Sequence, residues 1–122
     1  LMDIIVGQNG NLPRLFKNQS KKRGLRVILK GSLDNENGVG ASICLHANGQ
    51  SGGLHVVRIG SGYLSQNSTT QIIGKSEKAS GLIVYWPGAG AKQNNIEYFK
   101  LSPNQTEIIA EKGKGSDWPL SN

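Results

Sequence analysis

Gly60-Ser61-Gly62-Tyr63-Leu64-Ser65-Gln66-Asn67-Ser68 lies midway along the chain, and Val84-Tyr85-Trp86-Pro87-Gly88 follows downstream. Two glycines around a serine describe backbone that turns sharply. Ser65, Gln66, Asn67 and Ser68 then supply short polar groups able to hydrogen-bond the turned backbone to itself. Two readings of the aromatic and aliphatic pair between them stay open. The stretch is either a packed corner of a β protein that drops Tyr63 into a core, or a loop that faces a ligand.

Working outward, the rest of the chain reads as strand and turn. Its 122 residues suit one domain, long enough to bury a core and too short for two. Seventeen glycines against four prolines, with few aromatics, suit short strands joined by many turns. Gly81-Leu82-Ile83-Val84-Tyr85-Trp86 is the most apolar run, expected as a central strand buried on both faces. Pro87-Gly88-Ala89-Gly90-Ala91 stops it, because proline donates nothing to a ladder.

Upstream, Asp3–Gly7 and Pro13–Lys17 pair as a hairpin across Asn9-Gly10, a unit marginal in water by itself. Gln19–Arg23 is a polar, basic connector. Gly24–Gly31 is a strand with Val27 and Leu29 on one face and Arg26, Ile28 and Lys30 on the other. Ala41–Ala47 and Leu54–Ile59 form a hairpin through Asn48-Gly49 and a flexible Gln50–Gly53 turn, and Thr69–Gly74 is a further strand. Asn95–Leu101 and Thr106–Ala110 are expected as a last hairpin across Ser102–Gln105. A mobile tail follows, with Trp118-Pro119-Leu120 docking on an apolar patch. Residues 1–18 are thus a hairpin, 19–23 a connector, 24–110 the main domain and 111–122 the tail. The expected fold is all-β, an antiparallel β-sandwich with an N-terminal β-hairpin.

The formal charge of +6 raises an anionic partner, but the cations are scattered and only Lys21-Lys22-Arg23 cluster. No basic groove interleaved with stacking aromatics is visible, so nucleic acid is not expected. Cys44 is the single cysteine, which excludes an intrachain disulfide and a cysteine-pair zinc site, and it reads as a small buried hydrophobe. His46 and His55 build no nucleophile–base set with it. Paired carboxylates at useful spacing are also missing, so no enzyme is expected. Asp34, Asn35 and Glu36 lie in an oxygen-rich loop that holds either calcium or plain Asx turns, without alternate-residue EF-hand spacing. No cofactor is expected beyond that calcium. The Gly38/Gly40 and Gly60/Gly62 pairs open no helix in a strand-helix-strand unit and are not dinucleotide fingerprints. Asn18, Asn67 and Asn104 head Asn-x-Ser/Thr sequons in turns or connectors, candidates for glycosylation. No apolar run approaches a membrane span. Beginning at Leu1, the chain reads as a mature piece or a segment of something longer.

Two resemblances add to this. Asp3 to Asn18 resembles the end of an FG-GAP propeller repeat, with Asp3 where the last aspartate of a calcium loop would stand. A single carboxylate does not hold calcium, so no metal is expected there, and the hairpin resembles an orphaned end of a propeller blade. From Gly24 onward the chain resembles the ASPIC and UnbV domain that follows FG-GAP or VCBS repeats. The matching residues are Lys30-Gly31 with Asn37-Gly38-Val39-Gly40-Ala41, then Gly60 to Gln66, then Val84 to Gly88. Where that family usually carries His-Phe-Gly-Leu-Gly, this chain has Gln71-Ile72-Ile73-Gly74-Lys75, without the aromatic. The resemblance implies an extracellular or cell-surface, secreted all-β module and no activity.

The expected function is therefore a non-catalytic interaction or adhesion module recognising a protein or a glycan. Tyr63, Ser65, Gln66, Trp86 and Tyr98 are its candidate binding residues. The alternative is a structural subunit that binds copies of itself by strand exchange through the N-terminal hairpin.

Overall fold

The computed structural model describes residues 2–88 and 95–118. In chain order the strands are β1 (Ile4–Gln8), β2 (Asn11–Phe16), β3 (Leu25–Lys30), β4 (Ser42–Ala47), β5 (Gln50–Ser51), β6 (His55–Val56), β7 (Gln71–Ile73), β8 (Ala79–Tyr85), β9 (Ile96–Lys100), β10 (Glu107–Glu111) and β11 (Ser116–Asp117). A 3₁₀ turn, Leu33–Asn35, lies between β3 and β4. No helix among the described residues is long and apolar enough to cross a membrane.

The strands form a large sheet ordered β11-β9-β8-β4-β5, with β6 also on β4, a small sheet ordered β10-β3-β7, and the separate β1-β2 hairpin. The two sheets face each other across one core, as a β-sandwich. The small sheet contributes Leu25, Val27, Leu29, Ile73, Ile108 and Ala110, and the large sheet with its flanks contributes Ile43, Leu82, Val84, Trp86, Val57 and Leu101. Each large aliphatic side chain sealed from water there contributes roughly 1.5–3 kcal/mol.

Strand β8 occupies the central position that its composition implies. It pairs antiparallel with β4 on one side and β9 on the other, and Leu82, Ile83 and Val84 are all fully buried. Register places Ile43, Val84 and Glu97 across one face and Cys44, Ile83 and Tyr98 across the other. The outer face is closed locally, because the ring of Tyr98 lies where a side chain on Gly81 would stand. Gly81 is needed for that close approach. Asn48 and Gly49, at φ 51° and 75°, make a two-residue reversal, so Gln50 and Ser51, expected in the turn, instead pair with Ala47 and His46 as β5.

Two expectations are corrected. The run Asn95–Leu101 and the run Thr106–Ala110 do not form a hairpin. After β9 the chain crosses between sheets, and β10 runs parallel to β3, Glu107 opposite Arg26 through Glu111 opposite Lys30. The alternation of Ile108 and Ala110 is satisfied equally by either neighbour; the crossing puts both on the core side of the small sheet. The ammonium of Lys75 holds the crossing by donating to the carbonyls of Ser102 (2.8 Å), Pro103 (2.7 Å) and Gln105 (3.0 Å).

The second correction concerns the tail, which is structured through Trp118; Pro119 and Leu120, like Ala89, Gly90 and Ala91, lie outside the described residues. Glu97, only 6 % exposed, accepts the Gly113 N–H at 2.8 Å and the Gly115 N–H at 2.9 Å. This carboxylate bends the chain after β10 so that β11 pairs with β9. Replacing Glu97 by alanine removes two charge-assisted bonds and is expected to cost about 3 kcal/mol, with Glu97→Gln losing about half as much because one good acceptor remains. Urea midpoints of the two variants against the parent check the order.

Candidate functional site

The turn quoted first is built from its own polar groups. Gly62 and Ser65 form an isolated antiparallel bridge, leaving Tyr63 and Leu64 as the two central residues of a tight turn. Leu64 stands at φ 50°, the left-handed region. A turn with positive φ at its second central position normally takes glycine or asparagine there. The base is tied by the Asn67 N–H donating to the Ile59 carbonyl at 2.9 Å, by the Asn67 side-chain amide donating to the Ser61 hydroxyl, and by the Thr70 N–H donating to Ser68 Oγ at 3.2 Å.

Of the two readings left open for Tyr63, the structure rejects the core corner: Tyr63 is 93 % exposed and Leu64 91 %. Gly60 and Gly62 ahead of the tip, with the Gly62–Ser65 bridge, let the chain reverse before either side chain reaches the sandwich. The tip therefore holds an aromatic and a leucine in water, and a β-carbon in left-handed backbone costs roughly 1–2 kcal/mol. Strain of this kind persists where the surrounding structure holds it in place. Ser65 and Gln66 are exposed beside it.

The other candidates lie elsewhere. Trp86, expected as a binding residue, is 5 % exposed and belongs to the inter-sheet core, against Gly38. Its ring is closed to a ligand because β8 brings it inward one residue before Pro87 breaks the ladder. Tyr98 is half-buried on the outer face of the large sheet. It stacks on Trp118 at 5.4 Å between ring centroids, Trp118 meets His46 edge-on at 4.9 Å, and the Tyr98 hydroxyl donates to the Ser80 carbonyl at 2.9 Å. These rings cover β8 and anchor β11. Tyr63, Ser65 and Gln66 are brought together; Trp86 and Tyr98 are committed to packing.

Asn35, named with Asp34 and Glu36 as a calcium candidate, spends its amide on one residue, donating to the Val39 carbonyl (2.8 Å) and accepting the Val39 N–H (2.9 Å). Asp34 and Glu36 remain exposed. Among the described residues no three His, Cys, Asp or Glu side chains gather as a metal site. Asp3 accepts the Asn18 N–H at 2.8 Å, closing the open end of the first hairpin. Of the sequon asparagines, Asn18 donates its amide to the Met2 carbonyl at 3.2 Å and Asn67 uses its amide on Ser61, whereas Asn104 is exposed in the turn after β9.

Cys44 is buried on the outer face, and burial pushes its thiol above the ordinary 9.0, opposed by hydrogen bonds from the Tyr85 and Ser51 side chains. Tyr85 is pushed up as well, by burial first and then by repulsion from the Cys44 thiolate. A raised thiol is a poor nucleophile at neutral pH.

Two features carried no usable signal in the sequence: the carbonyl cage of Lys75 comes from residues about thirty positions away, and the exposure of Leu64 depends on where the sandwich ends.

Fold and surface together define a two-sheet β module whose most exposed apolar side chains lie on a turn tip, at Leu33 in the 3₁₀ turn and on a separate hairpin. The chain belongs to the ASPIC and UnbV family, whose model matches residues 31–116. Comparison with curated proteins and with solved structures found no match.

Leu64→Gly removes the left-handed strain and an exposed side chain, so the variant is expected to gain about 0.5–1 kcal/mol in urea unfolding while the tip loses an apolar contact. Raised folded values for Cys44 and Tyr85 mean that the unfolded chain releases these protons first. Stability is thus complete below pH 9.0 and falls as pH rises through and beyond that value, and Cys44→Ala is expected to flatten the onset of this fall in urea titrations at stepped pH.

Proposed function

We propose that this chain is a non-catalytic extracellular interaction module that recognises a protein or glycan through the turn tip formed by Tyr63 and Leu64. The observation carrying this reading is the pairing of near-complete exposure with left-handed backbone at Leu64. An aromatic beside an aliphatic on a stapled turn offers rigid apolar area, and Ser65 and Gln66 offer hydrogen bonds around it. The reading needs no cofactor. Membership of the ASPIC and UnbV family supports secretion and recognition over a reaction.

A second reading rests on the β1-β2 hairpin. Every residue in it is exposed, including Ile5 at 72 %, Leu12 at 80 % and Leu15 at 70 %. A two-stranded unit with apolar residues on both faces is marginal alone and gains by joining another sheet. Such a hairpin could complete a propeller blade of the FG-GAP kind or add to a second copy of the chain.

An array of neutral glycans and a self-association assay test the two. The first reading expects glycan or protein binding that falls at least tenfold in Tyr63→Ala and Leu64→Gly with the fold intact. The second expects larger species from the full chain than from one lacking residues 1–17. A blank array removes the glycan form of the first reading, and identical monomers from both chains remove self-association through the hairpin.

A further inference from the structure

The basic connector is one wall of a trough. Lys21, Lys22 and Arg23 face the turn Ser76–Lys78 and the sheet crossing Pro103–Thr106 across a cavity of about 560 Å³. A second hollow of about 400 Å³, lined by Arg23, Arg26, Ile72, Thr106 and Glu107, shares Arg23 and Thr106 with it. The two hollows adjoin at these residues. The connector is folded on itself, with the Ser20 N–H donating to Asn18 Oδ1 at 2.9 Å and the Lys22 N–H to Ser20 Oγ at 3.2 Å, and just beyond it the Arg26 N–H of β3 donates to the Thr106 carbonyl at 2.8 Å. Opposite, Lys75 is spent on three backbone carbonyls and fixes the far wall.

Among the described residues the one ion pair is Arg26 with Glu107, at 3.1 Å. Lys21, Lys22, Arg23 and Lys78 line the trough with no carboxylate within ion-pair distance, although Glu77 lies on the same rim. Like charges gathered along a concavity raise the local potential and favour an extended anion. The lining holds no aromatic ring, so nucleic-acid bases would find nothing to stack on. The exposed cations along it complement a chain whose charge is carried outside on sulfates.

We infer that this trough binds a sulfated polysaccharide, with Lys21, Lys22, Arg23 and Lys78 as its sulfate contacts. The inference rests on the recognition reading above but uses a different surface from the Tyr63 tip. Three of these cations precede the residues matched by the family model.

The test is calorimetric titration of the full chain, made without N-glycans because Asn104 lines the trough, with a heparin-derived octasaccharide at two salt concentrations. Replacing Lys21, Lys22 and Arg23 together by glutamine is expected to weaken binding at least tenfold and to lower the salt slope by about two, near 0.7 for each charge removed. Lys78→Gln, a single change on an exposed turn, is expected to weaken it about threefold with an unchanged urea midpoint. A control lacking the same number of charges elsewhere, at Arg14, Lys30 and Lys114, keeps its affinity within about threefold. No binding by the parent, an equal loss in the control, unchanged binding by both trough variants, or better binding of a single-stranded oligothymidine would each overturn the inference. A blank octasaccharide titration beside a positive neutral-glycan or protein signal sinks the trough alone and leaves the tip standing.

Discussion

Strand β8 is sealed on both faces, and the remaining structure follows from how that is achieved. Leu82 and Val84 enter the space between the sheets, while Ile83 points the other way and is still fully buried. On that outer side its cross-strand neighbours are Cys44 and Tyr98, and the Tyr98 ring can lie flat only because Gly81 has no side chain. A slip of one residue would exchange the two faces and bring Gly81 and Ile83 into the main core. Register is therefore specified from two directions, which positions β4, β9 and, through Glu97 and Trp118, the last strand.

A sandwich with its large apolar residues so occupied leaves recognition to the connections. The turn at Tyr63 and Leu64 extends from the sandwich on hydrogen bonds supplied by Asn67 and Ser68. The trough lies where the connector before β3 meets the crossing after β9, two segments far apart in sequence whose cations and carbonyls meet because β10 lies beside β3. The hairpin β1-β2 carries apolar residues that the sandwich does not cover. These surfaces differ in chemistry, one aromatic and strained, one cationic, one apolar.

Much of the architecture was legible before any coordinates. The composition of Leu82 to Val84 placed a buried central strand, the alternation in Leu25–Lys30 assigned its two faces, and Asn48-Gly49 marked a reversal. The motifs at Gly31–Ala41, Gly60–Gln66 and Val84–Gly88 pointed to the family that residues 31–116 match. The candidate site was legible only in part. The glycine and asparagine pattern located the turn, but the same pattern fits a side chain turned in or out.

What the sequence by itself determined is local: where strands run, which of their residues are apolar, and where the backbone must reverse, because alternation and turn chemistry act over a few residues. Tertiary structure decided which strand lies beside which. Ile108 and Ala110 fit a hairpin with β9 as well as a parallel place on β3, and only the shared core and the carbonyl cage of Lys75 select the second. Exposure of Tyr63, burial of Trp86 and the meeting of Lys22 with Lys78 across one channel were decided in the same way. They depend on distances between segments far apart along the chain, which local pattern does not encode.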